Sequence, residues 1–179
     1  MSRPTLCLAD FLNEQNIICN LEAQTRDEAL TELLDRLHRN EGGFDRDRSM
    51  AEILIRENAG STIIQPGVAI PHARMNNLNK LKLAIGLSVK GVDFHASGNG
   101  IVHIIFLILT PLAEPGAYLQ FLAGLSRTLA AIKDIRLLVG CSTPAELCGL
   151  LIGGGSHLPP FLSASHVMNA QPITLLESD

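Results

Sequence analysis

The chain has no tryptophan and a single tyrosine, and aromatic residues make up only 4% of its 179 positions. A core built from it must therefore rest on Leu, Ile, Val and Ala. The 46% hydrophobic content supplies these in quantity, which does not fit a disordered chain. Basic charge is scarce too. The formal net charge is -4, and no basic stripe is present of the kind that neutralises nucleic-acid phosphates, so nucleic acid is not an expected partner. Long apolar runs are missing. Leu6 to Leu12 is short and contains Asp10, unlike a signal peptide. The strongest run, Ile101 to Leu109, is too short to span a bilayer and contains His103. These features predict a soluble, cytoplasmic protein that is not membrane-embedded.

Other absences narrow the chemistry. Cys7, Cys19, Cys141 and Cys148 form no C-x-x-C pair, so buried reduced thiols are expected and a metal finger is not. There is no G-x-S-x-G elbow, no P-loop, no H-E-x-x-H and no dinucleotide fingerprint. The glycines at 153–155 follow a helical segment instead of opening one, so they make a poor phosphate loop. No cofactor and no metal is expected.

What is present is a run of readable elements. Leu8 to Asn13 suits a short helix and Ile17 to Leu21 a brief strand. Thr25-Arg26-Asp27-Glu28 is a capping box: the Thr25 hydroxyl accepts from the residue 28 amide, and Glu28 reaches back to the Thr25 amide. Ala29, Leu30, Leu33, Leu34 and Leu37 follow at helical spacing, and Gly42-Gly43 ends the helix. A second helix is predicted over Asp47 to Glu57, burying Met50, Ile53 and Leu54. Gly60 to Gly67 reads as a loop, and Val68-Ala69-Ile70 as an apolar segment stopped by Pro71. Leu83 to Val89 and Ile101 to Leu109 read as strands, the second apolar enough to be covered on both faces. A helix follows over about Ala117 to Ile132. A last one has Thr143 as N-cap, Pro144 at N1 and Glu146 at N3. The predicted fold class is α/β, a single domain over 1–155 with a central mixed sheet flanked by helices on both faces. The segment 156–179 is expected to be a tail, disordered or an appended arm.

Six histidines are candidates for chemistry. His38 lies near a helix end, where a cation is favourable. His157 and His166 lie in the tail, His95 in a loop, and His103 inside the most apolar strand, where a satisfied structural histidine is the plainer reading. His72 has a distinct setting. It follows an apolar segment and Pro71, whose ring fixes φ and removes a backbone donor. An imidazole held at the end of a strand can have one nitrogen fixed by a carbonyl while the other keeps its lone pair for nucleophilic attack. From this setting alone the structural role is the commoner one for a lone histidine after a strand. Arg56 reads by itself as a helix C-terminal cation, and Ser61 and Thr62 as loop residues.

Arg56-Glu57-Asn58-Ala59-Gly60-Ser61-Thr62, then Gly67-Val68-Ala69-Ile70-Pro71-His72-Ala73-Arg74, resembles the enzyme IIA domain of the fructose/mannitol and nitrogen-regulatory class of the bacterial phosphotransferase system. Val92-Asp93-Phe94, Val102 to Leu107, Leu122 to Leu129 and Thr143 to Leu151 extend the resemblance over about residues 8–153. It implies a phosphotransferase-type carrier. A histidine-bearing phosphocarrier protein gives a phosphoryl group to His72. The group then passes to an enzyme IIB domain, or its presence regulates a transporter or kinase. Arg56 corresponds to a family arginine near that histidine, and Thr62 and Ser61 could add hydroxyls to the phosphate. The family usually carries a second histidine at the start of the helix after the long strand; Tyr118 stands there in this chain. Ile63-Ile64-Gln65-Pro66 likewise replaces a stretch that usually bears glycine. These departures favour a regulatory use of the fold, and in the alternative reading the chain is a non-catalytic regulatory binding module.

Overall fold

A computed structural model describes residues 8–94, 100–113, 115–132 and 134–153. His95, His157, His166, Cys7 and the 156–179 tail lie outside the described residues. The chain opens with 3-10 turns at Leu8–Phe11 and Glu14–Asn16, then β1 (Ile17–Ile18), α1 (Arg26–Glu41), α2 (Arg46–Ala59), β2 (Ile63–Gln65), β3 (Gly67–Ala69) and β4 (His72–Met75). The long strands β5 (Lys82–Asp93) and β6 (Ile101–Pro111) follow, then α3 (Pro115–Ala131), α4 (Arg136–Val139) and α5 (Pro144–Gly153).

The strands form one six-stranded mixed sheet in the order β1-β5-β6-β3-β2, with β4 also paired to β6. β6 is the hub. It runs antiparallel to β5 on one side and parallel to β3 and β4 on the other. Its residues from Ile104 to Leu109 are at most 1% exposed, because both faces are covered, as their unbroken apolar character requires. On one face, Ile104, Phe106 and Ile108 pack with Phe121, Leu125 and Leu129 of α3 and Leu147 and Leu151 of α5. On the other, Ile105, Leu107 and Leu109 pack with Leu30, Leu33, Leu34 and Leu37 of α1 and Ile53 of α2. The α/β sandwich expected from the sequence is therefore present, and each fully buried leucine contributes roughly 1.5–3 kcal/mol.

Both predicted caps form. The Thr25 hydroxyl accepts from the Glu28 amide while the Glu28 carboxylate accepts from Thr25 N–H. Glu146 and Thr143 repeat the exchange at the start of α5. The sequence missed three short elements. β2 lies in the segment read as a loop, β4 follows the expected stop at Pro71, and α4 was not anticipated. Each is too short to carry a period of its own and exists through its packing or pairing. The buried face of α2 is also rotated from expectation. Ser49, Ile53 and Glu57 are buried, whereas Met50 and Leu54 are only partly covered.

Pro66-Gly67 turns the chain from β2 into β3. Proline before a glycine at φ 81° is the pattern of a type II turn. A Cβ on Gly67 would also stand 2.7 Å from Ile135 Cδ1. Gly67→Ala is therefore expected to destabilise the protein by at least ~1 kcal/mol, seen as a lower thermal midpoint. An unchanged midpoint would show that this turn relaxes freely.

Candidate functional site

The site begins with a register. β3 pairs Val68 with Ile104 and Ala69 with Ile105, and β4 pairs His72 with Ile108 and Ala73 with Leu109. The offset is the same on both sides of Pro71, so β3 and β4 follow one line along β6, interrupted at Ile70 and Pro71; β2 covers the outer side of β3, and β4 is an edge. The Pro71 carbonyl still accepts from Ile108 N–H at 2.9 Å, which turns residue 71 toward β6. The donor that proline lacks is thus a ladder donor on the β6 side, and the outward-facing groups belong to Ile70 and His72. His72 is therefore the first residue of the edge strand β4, held at a strand end as the sequence suggested.

Those outward groups are all but used up locally. Ile70 N–H donates to Thr62 O at 3.0 Å, and the Ile70 carbonyl lies 3.0 Å from His72 Nδ1. A carbonyl can only accept, so Nδ1 carries the proton and Nε2 keeps its lone pair. Strand alternation puts His72 on the same side as Val68 and Ile70, the side covered by α3. There Tyr118 meets it, ring centroids 5.1 Å apart and tilted by 35°. Arg56 arrives from the other layer. It lies in the last turn of α2, and its side chain rounds the sheet edge, where its Nε donates to His72 Nε2 at 3.3 Å. Its Nη1 donates to Gly60 O at 3.0 Å, which steadies the guanidinium.

Electrostatics keep the imidazole neutral. Burial holds the His72 pKa down, the Ile70 bond partly opposes this, and the Arg56 and Arg74 guanidiniums lower it further. Burial pushes the Tyr118 phenol up, so it too is neutral at ordinary pH. A neutral nucleophilic nitrogen between permanent cations is a place for an anionic, electrophilic group.

Of the residues singled out in the sequence, the structure brings Arg56 and Tyr118 to the His72 ring. It directs the others elsewhere. The Ser61 oxygen accepts from Ile63 N–H at 3.2 Å, a local loop bond. Thr62 is 5% exposed, and its one hydroxyl proton is donated to Glu57 Oε1, so it braces the loop instead of pointing a donor at His72. His103 Nδ1 lies 2.9 Å from Ser88 O, across the β5–β6 ladder. His38 packs edge-on against Phe44, with centroids 5.1 Å apart. Cys19, Cys141 and Cys148 are free thiols whose pKa values burial raises. Two residues went unassigned in the sequence. Arg74 follows His72 by one strand period and so shares its side. Glu57 is 6% exposed, and burial pushes its carboxyl up against the opposing bonds from Thr62. Its position four after Ile53 on one helix was the available signal.

The family model of the phosphoenolpyruvate-dependent sugar phosphotransferase system EIIA 2 matches residues 10–153. The chain belongs to this family. A nitrogen regulatory protein of Bradyrhizobium diazoefficiens is 28% identical over 158 residues, covering 88% of this chain and 99% of the relative. A fructose-specific EIIA component of the same system from Haloferax volcanii is 36% identical over 92 residues, 51% of this chain; the match spans only 59% of that relative. Among solved structures, nitrogen regulatory protein IIA-Ntr from Neisseria meningitidis superposes with a TM-score of 0.72 at 27% identity, covering 80% of this chain and 98% of the other. Enzyme IIA-mannitol of Escherichia coli, solved in complex with phosphorylated enzyme IIB-mannitol, gives a TM-score of 0.68 at 21% identity, over 79% of this chain and 97% of that one, and so shares the fold.

In an NMR titration the His72 ring is expected to have its midpoint below about 6.5. Arg56→Ala should move it upward, since a cation that disfavours the imidazolium is removed. The folded state holds the neutral form. Its stabilising contribution is therefore complete above the unfolded pKa and is lost as pH falls through the lower folded value. A native midpoint at or above the free value would contradict the geometry described.

Proposed function

We propose that the chain is a phosphohistidine carrier in which His72 Nε2 accepts a phosphoryl group from a histidine-bearing phosphocarrier protein. The observation that carries this reading is the Nδ1 contact with the Ile70 carbonyl, which leaves the Nε2 lone pair on the side of Arg56. In the reaction Nε2 attacks phosphorus, the nitrogen–phosphorus bond of the donor breaks, and its electron pair returns to the donor imidazole. The proton stays on His72 Nδ1, donated to the Ile70 carbonyl, throughout. Transfer of this kind passes through a loose transition state, so placement and charge do most of the work. Arg56 gives up its bond to the nitrogen and turns its fork to the phosphoryl oxygens, a geometry suited to guanidinium. Tyr118 holds the ring from the other face and brings no charge.

The acceptor in this reading is an enzyme IIB domain; support comes from the family and from the IIA-mannitol structure solved with its phosphorylated IIB partner. Two nitrogen regulatory relatives, of Bradyrhizobium and Neisseria, support a signalling use, in which a transporter or kinase reads the phosphorylation state. Among the described residues no helix is long and apolar enough to cross a membrane, and the reading places the protein in the cytoplasm. The carrier function is assigned to the domain over 1–155.

Incubation with phosphoenolpyruvate, enzyme I and the phosphocarrier, followed by intact mass at neutral pH, should show the gain of one phosphoryl group. The gain should be absent in His72→Ala. Arg56→Ala should slow uptake by roughly a hundredfold to a thousandfold, the scale of losing one preorganised charge donor, and Arg56→Lys should not restore it, lacking the fork. A native protein that gains no phosphate would leave the regulatory binding module as the reading, with Arg56 capping an unreacted imidazole.

A further inference from the structure

We infer that Glu57 is a positioning residue for the His72 imidazole, acting through Thr62; the inference rests on the carrier reading for its kinetic consequence. Neither residue touches the ring. What connects them to it is a closed circuit of hydrogen bonds. The Glu57 carboxylate accepts from the Thr62 hydroxyl. The Thr62 carbonyl accepts from Ile70 N–H at 3.0 Å. The Ile70 carbonyl fixes His72 Nδ1 at 3.0 Å. His72 Nε2 accepts from Arg56 at 3.3 Å, and Arg56 adjoins Glu57 in the chain. A cross-link braces the circuit from within: Arg56 Nη1 donates to Gly60 O at 3.0 Å and Gly60 N–H donates to Glu57 O at 3.2 Å.

Most of these bonds use backbone groups that any residue supplies. Only two depend on side chains at both ends, Arg56 with His72 and Glu57 with Thr62. The second sets where the Thr62 carbonyl sits, hence where Ile70 sits, hence which imidazole nitrogen carries the proton. A purely structural need at position 57 would be met at less cost by an apolar side chain, as Ile53 meets it one turn earlier on the same buried stripe. Glu57 is instead a carboxyl at 6% exposure, a placement that opposes folding unless its bonds are made.

The test compares Glu57→Ala, Thr62→Val, their double variant, Glu57→Gln and Thr62→Ser in the full chain. Each is measured for melting temperature, for nitrogen-15 shifts of the His72 ring, and for the rate of phosphoryl uptake. Glu57→Ala and Thr62→Val should each lower the uptake rate by about tenfold to a hundredfold, the scale of a small misplacement of a reacting group. Their His72 ring shifts should move from a fixed Nδ1–H tautomer toward a mixture. The double variant should lose no more than either single one, because both cut the same link. Glu57→Gln and Thr62→Ser keep an acceptor and a hydroxyl and should recover most of the rate and the native ring shifts. Folded Ala and Val variants with native ring shifts and native rates would overturn the inference. So would losses that multiply in the double variant, or a Glu57→Gln protein no better than Glu57→Ala. Should the native protein take up no phosphate, the carrier reading fails by itself, while the ring shifts still decide the role of Glu57.

Discussion

One shared register along β6 holds the molecule together. That strand pairs with β5 on one side and with both β3 and β4 on the other, and it separates the two apolar cores. Because β3 and β4 keep the same offset across Pro71, the missing ladder donor interrupts pairing without allowing a slip. A slip of one residue would carry His72 to the α1 and α2 face and bury it among leucines. The chemistry at the edge therefore depends on an alignment enforced from the centre of the sheet.

That alignment also explains why the site has the contacts it has. An edge strand leaves alternate peptide groups without a partner in the sheet. Here the free carbonyl of Ile70 is used to set a tautomer, and its free amide is taken by the neighbouring loop. The Lys82–Glu41 pair, 3.0 Å apart with Asn16 bonded to the same carboxylate, does comparable tying at the far end of α1. It joins the helix to the start of β5, and burial there is matched by opposite charge. At His72 the two charges that act on the ring, Arg56 and Arg74, are both positive, so the site keeps a positive field where the pair at Lys82 is matched.

Much of this was legible in the sequence, for stated reasons. Capping boxes at Thr25 and Thr143 are local exchanges spanning one helical turn, so the residues that make them are adjacent in the text. The continuous apolar run at 101–109 announced a strand with both faces covered. The pairing of a carbonyl with one nitrogen of His72 could be anticipated from Pro71 and the apolar segment before it. Other features were not legible because their causes are distant. β2 and β4 exist only through partners elsewhere in the chain. The burial of Glu57 in place of Met50 and Leu54 depends on the direction from which α2 approaches β4. The partner of the Thr62 hydroxyl follows from that rotation, which explains why the sequence alone does not show it bonded to Glu57. Family resemblance supplied the phosphate; the local geometry supplies which nitrogen would bear it.

His72 lies at the sheet edge, where the two hydrophobic layers come together. Arg56 reaches it from one, Tyr118 from the other. A change in the chemical state of that single nitrogen is thus felt by a helix of each layer. The molecule can present one message to two audiences, since a partner lying across α2 and a partner lying across α3 would both be standing beside the same atom.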